Sequence, residues 1–426
     1  MRDAVKRSSD VLRLGASRQI SDYEQRFSFL KNLFDVLLAK LIRMDFDFKG
    51  AYHTAKEFFG SSSVRFAGID GTMYSRPLFD LMIFFGGAYA STGTIVFQEN
   101  GIPLIKYDDK IVRHSAGISG VVPIYVNEIP DIDQTFFAFE QPGEISPDKP
   151  LMDEAIISNA AIANWIMTFA EYYLAYKFAT DSKQKVQVIL LDRSLSIERA
   201  SLLYDTSKRD FWSEKCSIVG YEVDGEPIDV IDLTIGRQHV YNRVLGLPPP
   251  RADYIRYAII DLAQQKRILT KKQILEEFDI TDEKRAKRVE RCLRSLVKSG
   301  MLSEENETYS LKPKYLTTWE RIKKLVESLG DRFFLAEASE TETSNVMKIT
   351  RDGKERWLTT LDMAFLTLFT LNMLMEECWR KHILLVGITK DTAARDFKRQ
   401  LTPIMHNEGL LKMNISQEEF EKLPNT

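Results

Sequence analysis

The sequence predicts an α/β protein, because three short apolar runs end in an acidic residue and helical segments stand between them. The runs are VRFAGID, VQVILLD and ILLVGITKD, which end at Asp70, Asp192 and Asp391. Continuous apolar runs of this length are typical of strands that are covered on both faces. We therefore expect strands and helices to share one core around a central sheet.

Composition limits the class of protein. The chain has 426 residues, 44% hydrophobic and 11% aromatic, which suggests a globular protein of two or three domains. Its 58 basic and 61 acidic residues give a net charge of −3, so only a local basic face could argue for nucleic acid. No CxxC, HxxxH or HExxH pattern occurs, so the sequence predicts neither a cysteine zinc site nor a histidine metal site.

Two segments bear on the compartment. The N-terminal stretch MRDAVKRSSDVLRLG has no apolar core of signal-peptide length, so we expect a cytoplasmic protein. The most apolar stretch, residues 361–379, contains Asp362, Glu376 and Glu377. Carboxylates are costly inside a bilayer, so this stretch is predicted to be a buried helix of a protein with no membrane contact.

The first half of the chain predicts an ordered set of elements. Residues 1–60 have apolar positions at helical spacing, and a short strand then ends at Asp70. LFDLMIFFGGAYAS and TGTIVFQENG follow as two more strands joined by a turn of Gly, Ser and Thr. A long helix over 151–179 contains Glu171, the strand 186–192 comes next, and another helix begins near Ser194.

The order of these elements is that of an RNase H-like fold: three strands, a helix with a glutamate, and a strand with an aspartate. Such a fold gathers carboxylates at one edge of a mixed sheet. We therefore predict an RNase H-like core over 61–247, preceded by the helical segment 1–60. Residues 357–426 complete the core with its last helix, its last strand and a C-terminal helix.

A second domain is predicted between the two parts of the core. Three consecutive prolines, 248–250, mark a boundary. Residues 251–325 then contain three amphipathic helices followed by a hairpin, which is the order of a winged helix-turn-helix. An unspecific helical insertion is the alternative interpretation.

The acidic residues predict a metal site. Two divalent ions about 3.5–4 Å apart can clamp the attacking and leaving oxygens of a phosphodiester, and Mg²⁺ or Mn²⁺ prefers oxygen ligands. The predicted metal ligands are the carboxylates of Asp70, Glu171, Asp192 and Asp391.

Two other glutamates remain open as alternatives to Glu171. Glu154 lies near the start of the same helix, where it could simply favour the helix dipole, and Glu140 ends the strand-like run FFAFE. Glu171 is preferred because it lies mid-helix among aromatic residues, an unusual place for a solvated charge. Alone, each motif has an ordinary explanation: GIDGT as a turn, and VGITKD as a strand before a capped helix.

Three strings resemble the signature strands of the NurA nuclease family: GIDGT (68–72), LLDRSL (190–195) and VGITKD (386–391). That family consists of RNase H-like DNA end-processing nucleases, which work with a HerA-type hexameric ATPase and require manganese or magnesium. The resemblance implies a metal-dependent deoxyribonuclease of DNA repair or phage defence, and a homodimer. It implies catalytic roles for Asp70, Glu171 and Asp192, and for Lys390 or Asp391. Arg193 departs from the family pattern, which usually reads Asp-Gly-Ser.

A basic helix adds a second, independent signal. Seven of the residues in DEKRAKRVERCLRSLVK (282–298) are basic, and four of them can share part of one helical face. Such a face would suit the phosphate backbone of DNA, although a solvated or protein-binding helix would have a similar composition. The predicted DNA contacts are Lys284, Arg288, Arg291 and Lys298.

Two other functions compete with the nuclease. The first is a catalytically inactive RNase H-like scaffold that binds DNA or a partner ATPase through its winged helix. Arg193 beside Asp192 favours it, because a cation there could take the place of a metal ion. The second is a phosphotransferase of the actin-like kind, which would need a Gly-rich adenosine-binding loop late in the chain, and no such loop occurs.

Overall fold

The computed structural model describes residues 17, 21, 24, 47–108, 117–133, 161–207, 212–241, 254–335, 344–351 and 353–389. Residues 53–98 and 102–388 belong to one compact unit, and the remaining described residues belong to a second. The predicted residues Lys390 and Asp391 lie outside the described residues, as do Glu140 and Glu154.

The protein is α/β, as predicted, with a central mixed sheet. The sheet has six strands in the order β13-β5-β1-β2-β3, with β4 also paired to β2. Its strands are β1 (Ser63–Leu78), β2 (Leu81–Gln98), β3 (Gly101–Tyr107), β4 (Gly117–Tyr125), β5 (Val188–Leu191) and β13 (Leu384–Gly387). The pairs β1–β5 and β5–β13 are parallel, whereas β2 runs antiparallel to β1 and β4.

The remaining strands form small sheets. One sheet has the order β8-β10-β9, and two hairpins pair β6 with β7 and β11 with β12. Their ranges are β6 (Glu222–Val223), β7 (Glu226–Pro227), β8 (Ile268–Thr270), β9 (Leu302–Glu305), β10 (Thr308–Leu311), β11 (Lys348–Arg351) and β12 (Lys354–Trp357).

The described helices are α1 (Phe48–Phe59), α2 (Ile129–Ile132), α3 (Ala161–Thr180), α4 (Leu195–Asp205), α5 (Trp212–Lys215), α6 (Val230–His239), α7 (Tyr254–Lys266), α8 (Lys271–Glu277), α9 (Glu283–Lys298), α10 (Thr318–Phe334) and α11 (Thr360–Arg380). The strand predicted over 186–192 and the helix predicted after Ser194 are thus present as β5 and α4. The described part of the helix predicted over 151–179 is α3.

The central sheet has two faces with different coverings. On one face, Ala67 and Ile69 belong to the main hydrophobic core together with α3 and α11. On the other face, Val64 and Phe66 pack with Ala55 of α1. We refer to these as the α3 face and the α1 face.

Strands β1 and β2 differ from the sequence prediction. β1 does not end at Asp70 but continues to Leu78, and β2 is one strand where two strands joined by a turn were predicted. The residues of the predicted turn, around Gly93, lie inside β2 instead. A Cβ at Gly93 would collide with the carbonyl oxygen of Lys106 on β3 and the ring of Phe66 on β1, so only glycine lets the neighbouring strands approach β2 this closely.

Residues 254–311 contain the predicted three helices, α7, α8 and α9, followed by the hairpin of β9 and β10. Their apolar side chains form a hydrophobic cluster that is separate from the main core and also includes Ile235 of α6. The domain boundaries at 251 and 325 stay a prediction.

Helix α11 is buried along most of its length. It begins with a capping box in which Thr359 and Asp362 bond to each other's backbone N–H. Across the described residues, no helix is both long and apolar enough to cross a membrane.

Candidate functional site

Asp70 and Asp192 lie on neighbouring parallel strands. Ile69 of β1 is paired with Leu191 of β5, and the N–H of Asp192 donates to the carbonyl oxygen of Ile69 at 3.3 Å. Asp70 and Asp192 therefore each follow the last paired residue of the β1–β5 pairing, on neighbouring strands whose backbones are about 5 Å apart. Asp70 is exposed and Asp192 is half-buried, so solvent reaches this edge of the parallel pairing.

The register shows which face each side chain occupies. Asp70 is directly opposite Tyr89, and the pairing from Ser63 to Leu78 is continuous, so faces alternate along β1 without a bulge. Phe66 lies on the α1 face, and Asp70, four residues on, shares that face. Asp192 directly follows β5 and its N–H still bonds to Ile69, so we infer from the alternation of β5 that it belongs to the same face, whereas Arg193 contacts Glu171 on the α3 face.

Glu171 lies on the α3 face. A Cβ at Gly71 of β1 would collide with the carboxylate of Glu171 and with the side chain of Met167. Gly71 thus gives α3 the room to place a buried carboxylate directly on the strand. The exposed fraction of the Glu171 side chain is only 4%.

Arg193 compensates the buried charge of Glu171. Its Nε donates to Glu171 Oε2, and its Nη1 donates to Glu198 Oε1 of α4 at 3.3 Å. Burial raises the pKa of Glu171 to about 7, and the charges of Asp70 and Glu198 also raise it, against the lowering effect of Arg193. Desolvation therefore exceeds the attraction of the guanidinium, and the carboxyl group titrates near neutral pH.

The raised pKa predicts a pH-dependent stability. Because the native state holds the Glu171 proton more tightly than the unfolded chain, this contribution is complete below about pH 4.5 and is lost as the pH rises towards 7. Compared with Glu171→Gln, which keeps an acceptor for Arg193, the wild type should lose on the order of 1–3 kcal/mol of unfolding free energy between pH 5 and 8. Urea unfolding of both proteins at these two pH values measures it; parallel changes would contradict the assignment.

The structure thus brings Asp70 and Asp192 together and puts Glu171 beside them on the opposite face. Within the described ranges, no three His, Cys, Asp or Glu residues are grouped closely enough to hold one metal ion. Glu198 and Tyr172 also belong to this region, although no sequence motif predicts them there. Glu198 follows Arg193 by five residues, in the first turn of α4, where an acidic residue has an ordinary role at a helix N-terminus.

The four predicted DNA contacts lie on the exposed face of α9, opposite its buried residues Val289, Leu293 and Leu296. Three other basic residues of α9 form ion pairs along the helix: Arg285 with Asp282, Lys287 with Glu283 and Arg294 with Glu290. Lys284, Arg288, Arg291 and Lys298 have no acidic partner among the described residues. These four side chains form a stripe of uncompensated positive charge.

Comparisons with known proteins add little to this geometry. No family model matches the chain, and no curated protein matches it. Among solved structures, a crystal structure of NurA bound to dAMP and manganese is similar at 12% sequence identity and a TM-score of 0.19, over 83% of this chain and 63% of that one. A similarity this weak transfers no residue role to this chain.

Proposed function

We propose that this protein is a divalent-metal-dependent DNA nuclease with an RNase H-like core, formed by residues 61–247 and 357–426, and a winged helix at 251–325. The observation that best supports this function is the side-by-side position of Asp70 and Asp192 on neighbouring parallel strands. Two carboxylates at one level of an accessible sheet edge repel each other, and a bound cation would offset that repulsion. They are well suited to bind a hard cation.

The residues fit one divalent ion. Asp70 and Asp192 offer carboxylate oxygens from the same face, and solvent reaches both residues. Mg²⁺ and Mn²⁺ commonly bind through one or two carboxylates, with water and substrate phosphate completing the coordination. A bound ion would polarise the phosphodiester and lower the pKa of an attacking water.

The protein's own residues would position the bound ion and stabilise the charge of the phosphate. The backbone pairing of Ile69 with Leu191 positions the two carboxylates. Lys390 and Asp391, outside the described residues, follow β13, which is paired in parallel with β5. We assign Lys390 to stabilising the phosphate charge and Asp391 to an additional ligand.

The stripe on α9 supports DNA as the substrate. Exposed cations without acidic neighbours gain more from phosphate than those already engaged in ion pairs, since no existing contact has to be broken. In a winged helix, the helix before the hairpin is the one that enters the major groove, and α9 occupies that position in the chain.

Neutralising the stripe should weaken DNA binding in a salt-dependent manner. For Lys284→Gln/Arg288→Gln/Arg291→Gln, the slope of log affinity against log salt should fall by about three units, one for each lost phosphate contact. The matched control, Arg285→Gln/Lys287→Gln/Arg294→Gln, removes three paired charges of the same helix and should change the slope much less. Fluorescence anisotropy with a labelled duplex across a salt series measures both; equal slopes for the two triple variants would contradict the assignment.

Three further parts of the proposal rest on the family resemblance alone. They are the processing of DNA ends in repair or phage defence, a HerA-type ATPase partner, and a homodimer. The second candidate is an inactive scaffold, and the ion pair of Arg193 with Glu171 favours it. Manganese-dependent cleavage of an end-labelled duplex by the purified protein decides between them. An inactive protein that binds DNA through α9 would support the scaffold.

A further inference from the structure

Two divalent ions do not fit the described site. A two-ion centre needs carboxylates that converge on ions about 3.5–4 Å apart. Here Asp70 and Asp192 share the α1 face, whereas Glu171 lies on the α3 face. Among the described residues, no group of three potential ligands exists that would bridge the two faces.

The α3 face already holds a cation. The guanidinium of Arg193 contacts Glu171 and Glu198, and its side chain is only 12% exposed. Because arginine stays protonated at all relevant pH values, this positive charge is permanent. The guanidinium therefore lies between two carboxylates.

An independent observation identifies the same place as a ligand position. The hydroxyl group of Tyr172 is fully buried and has no hydrogen-bond partner within the described structure. It is close enough to Glu198, Arg193 and Glu171 for their charges to act on it. A buried hydroxyl without a partner is costly, so the Tyr172 oxygen near this cluster would gain from a cation that it could bind.

We propose that Arg193 fills the position of a second divalent ion, so that the wild-type chain binds one ion, at Asp70 and Asp192. Replacing Arg193 with a small neutral residue opens a second position, lined by Glu171, Glu198 and the Tyr172 hydroxyl. The inference builds on the proposed metal-dependent nuclease and assigns its ion stoichiometry.

Calorimetric titration of the full-length, metal-free protein with Mn²⁺, without DNA, tests this inference. The wild type should bind one ion per chain, Arg193→Ala two, and the charge-conserving control Arg193→Lys one. Asp192→Asn should remove the wild-type ion, whereas Arg193→Ala/Asp192→Asn should keep the ion gained at Glu171 and Glu198. Two ions in the wild type, or no gain in a folded Arg193→Ala, would overturn the inference.

Thermal melts provide a second readout. Without metal, Arg193→Ala should melt below the wild type because Glu171 and Glu198 lose their counter-charge. Saturating Mn²⁺ should raise its melting temperature by more than that of the wild type, since two ions bind only the native state. A wild type that binds no Mn²⁺ would instead overturn the proposed function, and the ion gained or not gained by Arg193→Ala would still decide the role of Arg193.

Discussion

Asp192→Asn is expected to reduce manganese-dependent DNA cleavage at least about a hundredfold, since a bound metal contributes several kcal/mol of transition-state stabilisation and each 1.4 kcal/mol is a factor of about ten. Asparagine keeps the shape of the side chain and removes the charge that holds the ion. The free energy of unfolding should not fall, and it should rise if Asp70 and Asp192 repel each other without metal. If Asp192 served only as a helix cap, Asp192→Asn would keep both its stability and its activity, because asparagine caps nearly as well.

The measurement combines cleavage of a labelled duplex with a thermal melt of the same preparation. Asp70→Asn should produce an equal loss, because the two carboxylates hold one ion. Asp224→Asn is the matched control. Asp224 lies in the turn between β6 and β7 and forms an exposed ion pair with Lys324 of α10. Its backbone φ of 55° is one that asparagine tolerates. Full activity of Asp192→Asn would contradict the assignment of Asp192 as a metal ligand.

The sequence was sufficient to predict the strands next to Asp70 and Asp192, because short continuous apolar runs are typical of buried strands. The sequence could not predict on which face of the sheet each acidic side chain lies. Both Phe66 and Ala67 are apolar, and a strand buried on two sides has no polar alternation from which the face of Asp70 could be inferred. Only the register with β2 and β5 shows that Glu171 lies on the opposite face.

The lengths of β1 and β2 could likewise not be predicted from the local sequence pattern. Residues 91–94, Ser-Thr-Gly-Thr, have the composition of a turn, yet Gly93 lies in an extended strand because Phe66 of β1 and Lys106 of β3 approach its backbone closely. That close approach depends on neighbouring strands, which a local window around Gly93 does not contain. The sequence identified Arg193 as a departure from a family pattern and as a cation that could take the place of a metal ion beside Asp192, but its bond to Glu171 required the fold.

A buried ion pair outside the site determines how α10 is attached. Arg321 is 6% exposed and Asp232 is fully buried. The Nη1 of Arg321 donates to Asp232 Oδ1 at 3.1 Å, and its Nη2 donates to the carbonyl oxygens of Glu226 and Pro227. Thr318 donates to the same carboxylate at 2.8 Å. One guanidinium thus joins α10 to α6 and to the β6–β7 hairpin.

Arg321→Ala should lower the free energy of unfolding by about 3–5 kcal/mol, because it leaves the carboxylate of Asp232 buried without its counter-charge. Lys324→Ala is the matched control on the same helix: the pair of Lys324 with Asp224 is exposed, and its loss should change stability by about 1 kcal/mol or less. Urea unfolding of the three proteins at pH 7 measures both effects.

The pH dependence of Arg321→Ala distinguishes an unpaired charge from lost packing. Burial already raises the pKa of Asp232 in the wild type, and removing Arg321 should raise this pKa further. Protonation then relieves the unpaired charge, so the deficit of Arg321→Ala should shrink as the pH falls from 7 towards 5. Arg321→Ala/Asp232→Asn should recover part of the lost stability at pH 7 for the same reason. A deficit that stays constant with pH and is unchanged in the double variant would show that Arg321 stabilises α10 through its apolar stem and not through its charge.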